Sequence, residues 1–150
     1  MSKIRRYVAY GSNLNREQMA RRCPTAKILG KAVMHGWALR FRGTATVERR
    51  KDSSVPVLVW DIQPEDEKAL DVYEGYPRLY RKETVRVYLN GKQVSAMIYI
   101  MNENNRPHGI PGKGYYDTIR EGYLDSGFDI GILDNAVNET IVCKRGGFMR

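Results

Sequence analysis

The stretch YVAYGSNLN, residues 7–15, begins like a buried strand and changes within three residues into the residue types of a turn and a helix cap. Gly11 allows the backbone to take a positive φ and to approach a ligand closely, and Ser12 and Asn13 favour turns. Asn15, with a glutamine three residues later, resembles a capping box. Such a junction leaves backbone N–H groups unpaired at the positive end of a helix, where a carboxylate or a developing oxyanion can bind. The residues predict an anion-binding loop, and an ordinary βα turn is the open alternative.

A second stretch, ALDVYEGYPRLY, places a carboxylate at the end of a predicted helix. Leu70 and Tyr73 fit the inward face of this helix, and Gly75 fits the position just past its end, so Glu74 lies in the last turn. The negative end of the helix dipole and burial beside the nearby tyrosines would both raise the pKa of Glu74. A carboxyl group tuned toward neutral pH suits a general base. A solvated glutamate at a helix end is the open alternative.

Metal and nucleotide chemistry is not predicted. The two cysteines, Cys23 and Cys143, and the two histidines, His35 and His108, do not follow a metal-ligand spacing. The phosphate-binding patterns G-x-x-x-x-G-K-[ST] and G-x-G-x-x-G are both absent from the sequence. We therefore expect no metal site and no cofactor.

Basic residues are concentrated at the start of the chain. The first 51 residues hold 13 Lys and Arg against 2 acids, whereas the other 99 hold 12 against 15. This asymmetry leaves open a non-catalytic binding module that contacts nucleic acid. Against that alternative, the alternation in WALRFR places Trp37, Leu39 and Phe41 on one face, which predicts a core face and not exposed aromatics that stack bases. Nucleic acid is therefore not the predicted partner.

The elements that would position the candidate residues follow from apolar periodicity and from turn residues. Strands are predicted near residues 5–10, 26–34, 37–43 and 55–62, and helices at 16–23, 65–74, 115–126 and 130–137. Asn90 and Gly91 stand between two strand-like runs, which predicts a two-residue type I′ hairpin. The charged run at 48–54 is predicted to be a solvated loop. Strands thus outnumber helices and include an antiparallel hairpin, so the predicted class is α+β.

Length and hydropathy bound the organisation of the chain. A chain of 150 residues suits one domain, residues 1–150, and buries roughly two thirds of the surface of its unfolded state. No apolar run approaches the roughly 18 residues of a membrane span, and the start, MSKIRR, lacks the apolar stretch of a signal peptide. We expect a cytoplasmic protein with no membrane partner.

Taken together, these stretches resemble the gamma-glutamylcyclotransferase-like family. The resemblance rests on YVAYGSNLN, on MARRCPTA and GWALRF, and on LDVYEG with a tyrosine soon after it. It continues with the pattern P-x-x-x-Y and a helix that ends in glycine, and the order and spacing agree from residue 7 to about residue 128. The fold that the resemblance implies is α+β, a small mixed β-barrel with flanking helices, in which the YGSNL loop lines the cavity.

The resemblance also implies roles for individual residues. Glu74 matches the catalytic glutamate of the family. Tyr80 matches a tyrosine downstream of the Glu-Gly pair, and Tyr115 matches the tyrosine four residues after a proline, here Pro111, so both are expected to wall the pocket. Gly112 stands where the family often has serine, which leaves the pocket rim and the choice of substrate open. The loop expected to hold the glutamyl end of the substrate consists of Tyr10, Gly11, Ser12, Asn13 and Leu14.

The implied activity is that of a gamma-glutamylcyclotransferase in glutathione metabolism. Such an enzyme converts a γ-glutamyl amino acid or amine to 5-oxoproline and a free amine, here with Glu74 as general acid and base and with no cofactor. The implied partner is a small γ-glutamyl molecule. A γ-glutamyl amine or a larger γ-glutamylated molecule remains open as the substrate, and a homodimer remains open as the assembly.

Overall fold

The computed structural model describes residues 4–103 and 106–149, with side chains up to residue 143. In chain order the elements of this part are β1 (Arg5–Ala9), a 3-10 helix (Ser12–Leu14), α1 (Arg16–Arg22), β2 (Lys27–Arg42), β3 (Thr44–Ile62), α2 (Pro64–Glu74), β4 (Tyr80–Leu89), β5 (Lys92–Met101), α3 (Lys113–Ser126) and α4 (Ile130–Met149). The α+β class agrees with the prediction. The fourth helix continues well beyond its predicted end at residue 137.

The strands form one mixed sheet in the order β2-β3-β1-β5-β4. β1 is antiparallel to β3 and parallel to β5, and the pairs β2–β3 and β4–β5 are antiparallel. The two edge strands approach each other, since a Cβ on Gly30 of β2 would lie 2.8 Å from a methyl carbon of Leu89 of β4. A side chain makes this contact, and no backbone pairing joins β2 to β4 among the described residues. The sheet is open, so the predicted barrel is not confirmed.

The turn between β4 and β5 has the geometry that its sequence predicts. Asn90 and Gly91 have φ angles of 51° and 81°, and Leu89 pairs with Lys92 on either side of them. Positive φ at both central residues is the requirement of a type I′ turn. The local sequence therefore determines this hairpin.

The hairpin of β2 and β3 is longer than predicted. The predicted strands at 26–34 and 37–43 are joined into β2, because Gly36 takes a positive φ of 84° at a shift in register and the strand continues past it. The run at 48–54 belongs to β3, so the prediction of a loop there is wrong. The run at 48–54 remains largely exposed, as expected. Residues 50–53 have only Gly36 opposite them in β2, so no side chain of β2 covers them.

The centre of the sheet is buried, and this fixes where the loop after β1 lies. Val8 and Ala9 of β1 are fully buried between β3 and β5. The chain then leaves the sheet and passes beneath α3, where a Cβ on Gly122 would lie 2.7 Å from the backbone and side chain of Leu14. Only a glycine allows this close approach, so α3 holds the loop against the sheet.

The fourth helix packs against the outer part of the sheet. Arg40 of β2 is buried and forms ion pairs with Glu48 at 2.9 Å and with Glu139 of α4 at 2.6 Å. These pairs satisfy a charge that would otherwise be costly to bury.

No helix in the described part of the chain is long and apolar enough to cross a bilayer.

Candidate active site

Glu74 is the last residue of α2, where the sequence places it. Gly75 ends the helix in the left-handed conformation, with φ 65°. The Glu74 carboxylate is partly buried and lines a pocket, and no described side chain donates a hydrogen bond to it. Burial raises the pKa of Glu74 to about 7, and the positive charge of Arg22 opposes the rise. A carboxyl group that exchanges its proton near neutral pH is suited to acid-base catalysis.

The loop after β1 forms one wall of this pocket. It contains a single 3-10 turn, Ser12–Leu14, and the Asn15 side chain then caps α1 by accepting the N–H of Gln18 at 3.0 Å. The Gln18 side chain instead accepts from Arg22, so only one half of the predicted capping box is formed. The first two amides of the 3-10 turn have no acceptor among the described residues. They remain available to an anionic group in the pocket.

Gly11 is needed for packing and not for a positive φ. Its φ is −124°, so Gly11 does not use the positive φ that a glycine allows. A Cβ on Gly11 would lie 3.2 Å from the Cβ of Ala45 and 3.7 Å from the Tyr115 hydroxyl. The loop therefore lies directly against the opposite wall of the pocket, and glycine keeps that wall within reach.

Tyr80 and Tyr115 form the opposite wall, and both contact the backbone of Ala45. The Tyr80 hydroxyl donates to the Ala45 carbonyl at 2.6 Å, and the Ala45 N–H donates to the Tyr115 hydroxyl at 3.0 Å. The hydroxyl oxygens of Thr44 and Tyr80 lie 2.8 Å apart. Burial raises the pKa of both phenols well above the ordinary value. Both therefore stay neutral and act as hydrogen-bonding groups and not as bases.

Most of the predicted site residues meet in this one pocket. Those that line it are Tyr10, Gly11, Ser12, Asn13, Glu74, Tyr80 and Tyr115. Leu14 does not line it: the side chain is fully buried in the core under α3. Tyr73, expected on the inward face of α2, is 41% exposed, and its hydroxyl contacts that of Ser12 at 2.7 Å.

Three further residues take part that the sequence did not single out. Tyr7 and Ala45 line the pocket, and Arg22 lies behind it. The Arg22 guanidinium stacks 3.5 Å from the centre of the Tyr73 ring and donates to the Asn13 side chain. Tyr7 lies in YVAYGSNLN and Arg22 lies in MARRCPTA. The stretches that carry the family resemblance could therefore have indicated both residues. Ala45 has no such signal, because only its backbone contributes.

The remaining polar side chains do not suggest a second chemistry at this site. Among the described residues, no three His, Cys, Asp or Glu side chains are placed to hold a metal ion. Trp37 and Phe41 are buried, as the alternation predicts, so they cannot stack bases. The expected lack of a nucleic-acid partner stays a prediction.

A methyl group on Gly11 should disturb the pocket without unfolding the protein. In Gly11→Ala the new Cβ presses on Ala45 and Tyr115, and small displacements of binding groups can cost roughly 10²-fold in rate. We expect kcat/KM to fall by about 10-fold or more, with an unchanged circular dichroism spectrum. Gly112→Ala is the matched control, since Gly112 does not line the pocket and its Cβ meets no atom within 4 Å. A Gly11→Ala variant within about twofold of the parent would show that this loop is only a connection.

Solved structures share this fold. A structure named "Gamma-glutamyl cyclotransferase" is 24% identical, with a TM-score of 0.79 over 89% of this chain and 86% of that one. An uncharacterized protein from Homo sapiens gives the same identity and TM-score over 90% and 87%. YkqA from Bacillus subtilis is 18% identical, with a TM-score of 0.71 over 97% of this chain and 54% of YkqA. At these identities the likeness defines a gamma-glutamyl cyclotransferase-like fold.

The family follows from the sequence itself. The family model "Gamma-glutamyl cyclotransferase, AIG2-like" matches residues 7–118, and the chain belongs to this family. The match begins within β1 and includes the loop after it, Glu74 and the first residues of α3. No curated protein matches the sequence. The resemblance drawn from the motifs is confirmed.

Proposed function

We propose that this protein is a gamma-glutamyl cyclotransferase that converts a γ-glutamyl amino acid or amine to 5-oxoproline and the free amine. The observation that carries the proposal is the Glu74 carboxyl group, with its pKa raised to about 7, in a pocket otherwise lined by neutral groups. Family membership supports the same reaction class. Glu74 is proposed as the general acid and base.

The reaction needs little from the protein, because the substrate carries its own nucleophile. The α-amino group of a γ-glutamyl compound reaches the γ-carbonyl carbon through a five-membered ring. Glu74 removes a proton from the α-ammonium, and the free amine attacks. The protonated Glu74 then gives its proton to the leaving nitrogen, and the ring nitrogen releases its second proton to water, so that 5-oxoproline forms as a neutral lactam. No cofactor is part of this proposal.

The pocket supplies orientation. Holding the flexible glutamyl chain in its ring-closing conformation is itself effective, since well-oriented intramolecular reactions reach effective molarities of about 10⁵ to 10⁸ M. The free amides of the 3-10 turn at Ser12–Leu14 are proposed to hold the α-carboxylate of the substrate. Tyr80 and Tyr115 would close the other side of the glutamyl chain.

The size of the pocket bears on the substrate. Its cavity volume is about 20 Å³, far below the roughly 300–1,000 Å³ of pockets that enclose drug-sized ligands. We infer that it encloses at most the glutamyl end and that the leaving amine extends outside. A γ-glutamyl amino acid, a γ-glutamyl amine and a larger γ-glutamylated molecule share this end, so all three remain candidate substrates.

A substrate panel tests the proposed function. The purified protein is incubated with γ-glutamyl dipeptides, glutathione and γ-glutamyl amines, with a chelator present and no nucleotide, and 5-oxoproline is measured by mass spectrometry. We expect equal amounts of 5-oxoproline and free amine from at least one class. Absence of 5-oxoproline from every class would refute the function. Activity that is lost in chelator and restored by a divalent ion would refute the mechanism.

A further inference from the structure

The phenols of the pocket differ in where their hydroxyl hydrogens go. Tyr10 donates to the carbonyl of Tyr99 at 2.7 Å, and Tyr80 donates to the carbonyl of Ala45 at 2.6 Å. Each hydroxyl has a single hydrogen. These two phenols are therefore already committed as donors to the protein backbone and offer a ligand only their lone pairs.

Tyr7 has its hydrogen free, because its hydroxyl is an acceptor within the protein. Asn13 donates to it through Nδ2 at 2.9 Å. The Asn13 amide is held in this orientation from its other side, where the Arg22 guanidinium donates to Oδ1. A guanidinium has only donors, so the amide must turn its oxygen to Arg22 and its nitrogen to Tyr7. No described residue then accepts the Tyr7 hydrogen.

This free hydrogen is close to the candidate base. Tyr7 and Glu74 line the same pocket, and the pKa of Tyr7 is raised first by burial and next by the charge of Glu74. Tyr115 also keeps its hydrogen, since it accepts from the Ala45 N–H. However, its pKa is raised first by burial and next by Tyr80, with Glu74 a smaller influence. Tyr7 is thus a phenol donor with a free hydrogen in the same pocket as Glu74, and Asn13 and Arg22 fix its orientation.

We propose that Tyr7 is a further catalytic residue, whose hydroxyl donates a hydrogen bond to the γ-carbonyl oxygen of the substrate as that oxygen becomes an oxyanion. This inference rests on the proposed cyclotransferase function. Glu74 has to reach the attacking nitrogen and the leaving nitrogen, and both are bonded to the carbon that carries the oxyanion. A donor beside Glu74 is therefore within reach of that oxygen.

The step balances without a proton from Tyr7. In the attack, the nitrogen–carbon bond forms, the carbonyl π electrons move to oxygen, and the ammonium proton passes to Glu74. In the collapse, the carbonyl re-forms, the bond to the leaving nitrogen breaks, and that nitrogen takes the proton from Glu74. The ring nitrogen, which still carries two hydrogens, releases one of them to water and becomes the N–H of the lactam. Tyr7 keeps its own proton, in agreement with its raised pKa, and stabilises the charge by hydrogen bonding alone.

Tyr7→Phe removes the hydroxyl and keeps the ring. With a substrate that the unmodified protein converts, we expect kcat to fall roughly 10²- to 10³-fold, the usual effect of losing one oxyanion donor. KM should change less than about threefold, and the acidic limb of the pH profile should not move. Tyr99→Phe is the matched control: its ring packs against that of Tyr7 at 5.8 Å, but its hydroxyl donates to Asp71. This control should keep kcat within about threefold.

Asn13→Asp tests the orientation of the Tyr7 hydroxyl. Aspartate can accept from Arg22 but cannot donate to Tyr7, so it captures the Tyr7 hydrogen and removes it from the substrate. We expect kcat to fall, and we expect Tyr7→Phe to cost little more when it is added to Asn13→Asp. Full additivity of the two losses would contradict the proposed link.

The remaining outcomes separate this inference from the proposed function. Equal kcat in Tyr7→Phe and Tyr99→Phe, in a protein that Glu74→Gln inactivates, overturns the role of Tyr7 alone. The role of Tyr7 is also overturned if a shift of the acidic limb of the pH profile explains the whole loss of kcat in Tyr7→Phe. In that case the hydroxyl affects the ionisation of Glu74 and not the oxyanion. A large loss of kcat in Tyr115→Phe but not in Tyr7→Phe assigns the oxyanion to the other phenol. An unmodified protein that releases no 5-oxoproline overturns both.

Discussion

Glu74→Gln should lower kcat roughly 10²- to 10⁴-fold, the usual contribution of a positioned acid-base group. Glutamine keeps the size of the side chain but cannot take a proton from the α-ammonium. The substrate should still bind, because the loop after β1 and the tyrosine wall are unchanged. The measurement is steady-state release of 5-oxoproline by the two proteins. Parental turnover in a folded Gln variant would show that Glu74 is not the base.

The control for this variant comes from the same helix. Glu65 is exposed in the first turn of α2, and Glu65→Gln makes the same chemical change away from the pocket. Other acids of α2 are less suitable: Asp66 caps the helix and accepts from Thr25, and Glu67 pairs with Lys82. Replacement of Asp66 by asparagine or of Glu67 by glutamine would change the stability of the fold as well as any effect on catalysis. Activity of Glu65→Gln close to that of the parent isolates the role of Glu74.

Stability provides a second comparison between parent and Gln variant. Since burial raises the pKa of Glu74 from its ordinary 4.5 to about 7, the folded state binds more protons than the unfolded state between these values. The free energy of unfolding therefore falls as pH rises through this window, and ionised Glu74 destabilises the fold above it. Glutamine has no such cost. We expect Glu74→Gln to be at least as stable as the parent at pH 8.

Gly122→Ala should affect both the fold and the site. The new Cβ would lie 2.7 Å from the backbone and side chain of Leu14, so α3 or the loop after β1 must move. Overpacking of this kind costs typically about 1–3 kcal/mol, and the melting temperature should fall by several degrees. Displacement of the loop should also lower kcat/KM by roughly 10-fold or more.

Gly114→Ala is the matched control on the same helix. A Cβ at Gly114 meets no atom within 4 Å, so alanine there should be neutral or stabilising through its helix propensity. Thermal unfolding and kinetics of the two variants are compared under identical conditions. If Gly122→Ala is as stable and active as Gly114→Ala, the contact between α3 and the loop does not position the site.

The elements that local chemistry determines were predictable. Asn90 and Gly91 require the turn that they form, Gly75 ends α2, and Asn15 caps α1. The length of the β2–β3 hairpin was not predictable, since the polar run at 48–54 joins the strand only through the pairing of Glu48, Arg49 and Ser54 with β2. Closure of the sheet likewise depends on how its edge strands meet. Sequence periodicity carries no information on either.

The site divides in the same way. Glu74 and the loop after β1 were predictable, since a helix end and a family resemblance indicate them. Tyr7 was not, because it occupies a strand position that is typical of core residues. Its significance depends on the orientation of the Asn13 amide, which Arg22 fixes from another helix. Only the folded chain brings these three side chains together.

The pH dependence of kcat/KM for 5-oxoproline release tests the central claim most directly, because it reports the ionisation of the essential base in the free enzyme. With Glu74 as that base, kcat/KM should fall with unit slope below a pKa of about 7. The limb should vanish in Glu74→Gln, leaving a low residual rate. An acidic limb near the ordinary 4.5 of a glutamate, or a limb near 7 that persists in Glu74→Gln, would contradict the assignment.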